Sequence, residues 1–203
     1  IFGVACAVIV YFAIGHRPPP SKPTAISRID PAASAESTGG NVLRFREDRR
    51  DFELAYETQL LYPDGTSRML KTTIHVKKPD GRSYVVTAGE ARSSKDQKHM
   101  QLSSGVHLEA NDGFTMSADR ATYDKDLGTI HSDVPVTFSK GRMSGSGTII
   151  DYNENSDVLM VEQDARVKTV DEAGQAALDF AAGSAVLDRF NDLLTLDAHV
   201  HVL

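Results

Sequence analysis

Residues 114–138 read FTMSADRATYDKDLGTIHSDVPVTF. Phe114, Met116 and Ala118 alternate with polar residues and close on a small residue, Ala121. A polar turn follows at Asp124-Lys125-Asp126, and a second alternation runs through Ile130, Val134, Val136 and Phe138. Period-two alternation sends the apolar side chains to one face of a strand and Ser, Thr, Asp and Arg to the other. The stretch therefore predicts one hairpin with an apolar face and a solvated one.

The same unit comes round four times. Tyr84-Val86-Ala88-Ala91 is followed by Leu102-Val106-Leu108, and Met143-Gly145-Gly147-Ile150 by Leu159-Val161-Ala165-Val167. Leu178-Phe180-Ala182-Ala185 is followed by Leu194-Leu196-Val200-Val202. The ends Ala91, Ala121, Ile150 and Ala185 fall 30, 29 and 35 residues apart, with a longer loop near Ala173 to Ala177 taking up the last difference. A two-strand period near thirty predicts stacked hairpins, none able to bury its apolar face alone. Upstream, Pro63-Asp64-Gly65 and Pro79-Asp80-Gly81 supply two more hairpin turns behind Phe52-Leu54-Tyr56 and Met69-Ile74-Val76. The expected class is all-β, with the stacked apolar faces lining one long trough.

Composition narrows the function. A formal charge of −6 and a pI near 5.6 argue against a nucleic-acid partner. The single cysteine, Cys6, excludes an internal disulfide framework and a cysteine-based zinc site. Residues 1–15, IFGVACAVIVYFAIG, carry no charge. As a helix they would span about 22 Å of a ~30 Å hydrocarbon core. A cleaved signal peptide and a signal anchor both fit such a run; the anchor is favoured because no small-residue cleavage site follows it. The expected organisation is an anchor over 1–16, incomplete at its N-terminus, and a Pro/Ser/Ala-rich tether over 17–46. Strand repeats follow over 47–203 and could continue past the end of the chain.

Motifs for chemistry are weak. Asp151-x-Asn153-x-Asn155-Ser156-Asp157 with Glu162 imitates a calcium loop, but Ser156 stands where a glycine is needed and a strand follows, so it reads as a turn. His199 and His201 lie two apart on an alternating strand with Asp197 in line, a spacing that could hold zinc but that also describes a solvent face. No nucleophile elbow occurs, and Glu90, Asp119 and Asp179 point outward by parity. No catalytic residue, metal or cofactor is expected, and the protein is read as not an enzyme.

Gly81-Arg82-Ser83-Tyr84-Val85-Val86-Thr87-Ala88-Gly89-Glu90-Ala91 resembles the LptC family, as do Ser117-Ala118-Asp119-Arg120-Ala121-Thr122-Tyr123-Asp124 and Asp133-Val134-Pro135-Val136. The order of anchor, tether and hairpins is similar too. The resemblance implies a twisted, open β-jellyroll, preceded by a transmembrane helix and standing in the periplasm on the inner membrane. It also implies a function: accepting lipopolysaccharide from an inner-membrane ABC transporter and passing it, edge to edge, to an LptA-like bridge. A plain LptC and an LptC–LptA-like fusion both stay open. The trough residues expected to touch acyl chains are Phe114, Met116, Val134, Val136, Phe138, Leu159 and Val161. Leu194, Leu196, His199, Val200 and Val202 are expected on an unprotected terminal strand that a partner extends. The competing reading is a β-solenoid scaffold with a closed core and no lipid.

Overall fold

The computed structural model of the chain describes residues 28–46 and 49–202. The expected membrane anchor lies outside the described residues. Among those described, no helix is long and apolar enough to cross a membrane. All regular structure among the described residues is antiparallel strand: β1 (Ala35–Arg46), β2 (Arg49–Leu61), β3 (Ser67–Lys77), β4 (Ser83–Ser93), β5 (His99–Ala110), β6 (Phe114–Asp124) and β7 (Thr129–Ser132). These are followed by β8 (Val136–Lys140), β9 (Met143–Asn153), β10 (Val158–Val170), β11 (Ala176–Ala182), β12 (Ser184–Asp188), β13 (Leu193–Asp197) and β14 (His201–Val202). The pairs β7/β8, β11/β12 and β13/β14 are halves of interrupted strands, since each half bonds to the same neighbour or to the matching half of the next strand. Allowing for this, each strand pairs with the ones before and after it in sequence, and the sheet is a single meander.

Most of the described turns share one device. Asp64, Asp80, Asp96, Asp112, Asp124, Asn153, Asp171 and Asp188 each accept, through Oδ1, the backbone N–H two residues on. An Asx hydrogen bond mimics a backbone turn and favours reversal over strand. The calcium-like motif is one of these turns: Asn153 Oδ1 also accepts from Ser156 N–H.

The sheet folds on itself because strands turn a corner near mid-length. Inward residues on either side of the corner are three apart rather than two, as in Ala88/Ala91 and Ala182/Ala185, all four of them buried. An odd step keeps both halves of a strand facing the interior only if one residue is bulged out. Registers slip there between Thr87/Glu90, Ser103/Val106 and Gln163/Arg166. Lys71, Ser104, Ile149, Asp164 and Ala198 take positive φ of 51°, 65°, 57°, 53° and 58° along the same line. Two corners depend on glycine for close approach. A Cβ on Gly89 would meet Ser104 Cβ at 2.7 Å, and one on Gly183 would meet Ala198 Cβ at 2.8 Å. The result is two half-sheets hinged at the corner and facing each other, the geometry of a β-jellyroll. A single hydrophobic cluster lies between them, from Leu54 and Met69 at one end to Leu187 at the other.

Three sequence expectations are corrected. Residues 35–46, assigned to the tether, form β1, which pairs with β2 along nearly its whole length; Gly39 and Gly40 mark its corner and mask the alternation. The terminal run 194–202 is two strands, not one. Ala198 and His199 both adopt positive φ, so β13 follows β12 and β14 follows β11. That break also ends the parity that aligned Asp197, His199 and His201. Val134 lies in the bend between β7 and β8, half-buried, and does not belong to the strand face that carries Val136 and Phe138.

Candidate functional site

Of the seven residues expected to line a trough, six are buried inside: Phe114, Met116, Val136, Phe138, Leu159 and Val161. They meet as one surface, but side chains fill the space. Phe114 stacks on Tyr152 with ring centroids 6.3 Å apart, and Tyr84 meets Tyr152 edge-on at 6.2 Å. Phe114 and Leu159 are both 0 % exposed. Close approach tightens the middle further: a Cβ on Gly147 would lie 2.9 Å from the Gln163 carbonyl oxygen.

Folding at the corner brings the two rows of hairpin turns together on the opposite side. One row holds the β3–β4, β5–β6 and β8–β9 turns; the other holds the β9–β10 and β12–β13 turns. Charged side chains join the rows. Lys78 Nζ lies 3.0 Å from Glu154, Arg82 Nη1 3.1 Å from Asp157, Arg189 Nη2 2.6 Å from Asp112 and Lys140 Nζ 2.6 Å from Asp192. Arg189 is the centre of this seam. Its side chain is 1 % exposed and lies 4.1 Å above the Phe114 ring, and its Nη1 donates to Asp157 at 2.6 Å and to Tyr152 Oη at 3.0 Å. Tyr152 in turn donates to Asp157 at 2.7 Å. Burial pushes the Tyr152 phenol well above its usual range, so it remains a donor. Burial opposes the charge on Arg189, but Tyr152, Asp157 and Asp112 outweigh it and hold its pKa above the ordinary value. For Asp112 burial would raise the pKa, yet the Phe114 amide, Arg189 and Lys140 together keep it depressed.

The seam is open at the N-terminal end. There a cavity of about 330 Å³ lies between the ends of β1 and β2 and the β4–β5 and β6–β7 turns. Its lining includes apolar Val42, Leu43, Phe52, Leu54, Met69 and Met100 beside Gln59, Gln97 and Tyr123, and its rim carries Arg44, Lys98 and Lys125, of which Arg44 is paired with Asp51 at 3.1 Å and Lys98 with Asp126 at 2.6 Å. Leu54 and Met69 belong to the continuous core and Phe52 and Met100 pack against it, so the mouth leads into the sealed interior. The larger hollow of about 980 Å³, lined by Asp30, Tyr62, Arg68, Arg92, His99 and Gln101, is on the outer face, and none of these residues belongs to the continuous core. Among the described residues no cluster of His, Cys, Asp and Glu could hold a metal ion.

At the C-terminal end, Leu194 and Leu196 of β13 pack against the core, His199 sits in the corner, and Val200 and Val202 are exposed, Val202 by 70 %. Sequence reasoning missed the mouth and the seam. The Phe52-Leu54 alternation marked part of the mouth, but nothing local marks the seam, whose partners lie up to 77 residues apart.

A search of curated proteins finds no match. The family described as "Lipopolysaccharide-assembly, LptC-related" matches residues 54–172, from the mouth through the four turns that carry Lys78, Asp112, Lys140 and Asp157. That is more than half of the 203 residues; the chain belongs to the LptC family and has a role in lipopolysaccharide transport.

Proposed function

We propose that this protein takes up the acyl chains of lipopolysaccharide at the N-terminal mouth, holds them between the two half-sheets and relays them toward the C-terminal edge. The observation that carries this reading is the mouth itself, an apolar floor continuous with the core under a rim of three cations, in a chain whose net charge is −6. Each buried methylene is worth about 0.8 kcal/mol, and the cationic rim suits the phosphates of the headgroup. Phe114, Met116, Val136, Phe138, Leu159 and Val161 are then the walls that an incoming chain parts. The donor is an inner-membrane ABC transporter, the domain stands in the periplasm, and the apolar residues 1–15 anchor it. A photo-crosslinking residue at Phe52 or Met100 should capture lipopolysaccharide in cells, and one at Arg120, on the outer face, should not. Equal capture at all three positions would overturn the assignment.

We further propose that the exposed end of β13–β14 pairs with an LptA-like bridge. Val200→Pro should abolish pull-down of that bridge while leaving Phe52 capture intact; if pull-down survives, the contact lies elsewhere. The complete burial of Phe114 and Leu159 favours a second reading, a scaffold with a permanently closed core. Native mass spectrometry of protein from a lipopolysaccharide-containing host separates the two, because only the first predicts a bound lipid.

A further inference from the structure

A lipid cannot travel along this interior with its headgroup in water unless the seam parts beside it. The headgroup is covalently joined to the acyl chains, so it must move along the line where the two turn rows meet. On that line the cations come in order from the mouth: Lys78, Arg82, Arg189, Lys140. Each meets a carboxylate of the other row, at 3.0, 3.1, 2.6 and 2.6 Å, while Arg82 also binds Asp80 of its own turn at 2.7 Å and Lys140 lies 3.4 Å from Asp112 of its own row. We propose, resting on the lipid reading above, that these ion pairs are a latch and a track in one. They keep the empty interior shut, and they open one after another as the phosphates of the headgroup replace the carboxylates on successive cations.

Two observations beyond the pairs themselves support exchange rather than fixed bridging. Arg189 Nε is buried without a hydrogen-bond partner, and Arg82 Nη1, though 3.1 Å from Asp157, makes no hydrogen bond of good geometry to it, so the carboxylates leave the donors of the two inner arginines incompletely satisfied. A tetrahedral phosphate offers more acceptor oxygens than a carboxylate and matches the arginine fork. Second, Lys78, Arg82 and Lys140 keep 16, 27 and 22 % of their side chains exposed, so a headgroup in water can reach them while the acyl chains stay beneath. Arg189 alone is inaccessible until its neighbours have yielded, because it lies over the Phe114 ring. Parting the rows there uncovers Phe114 and Tyr152, the floor of the sealed segment.

The test clamps the seam reversibly. In the full chain carrying Cys6→Ser, Lys78→Cys and Glu154→Cys are bridged by a reducible bis-maleimide, and photo-crosslinking residues are placed at Phe52 or Phe114 in separate preparations. The probe is a hexa-acylated, bisphosphorylated glucosamine disaccharide in non-ionic detergent, compared with the same lipid stripped of phosphate. Far-ultraviolet spectra check that every form is folded. With the clamp closed, labelling at Phe52 should persist and labelling at Phe114 should be lost; reduction should restore it. The dephosphorylated lipid should label Phe52 but reach Phe114 poorly in the unclamped protein. Undiminished labelling at Phe114 under the clamp overturns the latch, since lipid then bypasses the seam. Equal labelling at Phe114 by both lipids overturns the role of the cations as a track. Absence of labelling at Phe52 and Phe114 in every form overturns the lipid reading itself, and the latch with it.

Discussion

The mouth and the sealed segment are built from the same repeated hairpin, yet they differ in what closes them. At the mouth, Val42 and Leu43 remain 48 and 40 % exposed, and the facing turns of the other row stand off across a cavity. Farther along, the turn rows meet, and a buried arginine lies between three acidic or phenolic partners on top of an aromatic floor. Apolar patterning is therefore common to both regions and does not decide which of them is open. Charge across the seam does. An apolar face becomes a core or a binding surface according to whether the strand ends above it can pair.

The comparison breaks most severely at Arg189. Arg189→Met leaves Asp157 and Asp112 without their buried partner, and breaking a buried pair in this way costs about 3–5 kcal/mol. The expected fall in Tm is about 2–4 °C for each kcal/mol in a domain of this size, read by thermal or urea unfolding. A change within error would mean the seam is not sealed in solution. Next comes a matched pair of truncations. Phe114→Ala in the sealed segment should cost about 3–5 kcal/mol, whereas Phe52→Ala at the half-buried mouth should cost about 1 kcal/mol and reduce lipid capture instead. Similar losses in urea would erase the distinction between the two regions. The smallest effect is acid. Asp112 has a folded pKa below its ordinary value of 3.8, so its contribution is complete above that value and is lost as the pH falls through the lower folded one. Unfolding curves from about pH 4 downward should lose a fraction of the Arg189 effect, and Asp112→Asn should remove that fraction.

Much of this molecule is written locally. Alternation through Phe114-Met116-Ala118 marks inward faces because the pleat has a period of two, and Asp64, Asp80 and Asp188 mark reversals because an Asx side chain bonds two residues on. The step of three between Ala88 and Ala91 was visible as well, but its meaning as a corner appears only when neighbouring strands bend along one line. β1 was hidden because Gly39 and Gly40 interrupt its pattern and its preceding residues have tether composition. The run from Leu194 to Val202 looked continuous because nothing in Ala198 or His199 signals a left-handed backbone; Gly183 on the adjacent strand makes room for it. The seam was illegible for a different reason. Arg189, Asp112 and Asp157 are ordinary turn residues by sequence, and only the folding of one half-sheet onto the other makes them neighbours.

The meander has a consequence in time. Each strand hydrogen-bonds to strands adjacent in sequence, so the ladders close short loops and can grow hairpin by hairpin from several starting points. Arg189 and Asp112 must close a far longer loop, and they can do so only after both half-sheets exist. The last contacts to form are the ones whose loss leaves the ladders intact. Amide hydrogen exchange should therefore find a class of openings well below the global unfolding free energy, in which the turns around Asp112, Asp157 and Arg189 come apart while β4, β5 and β6 remain protected.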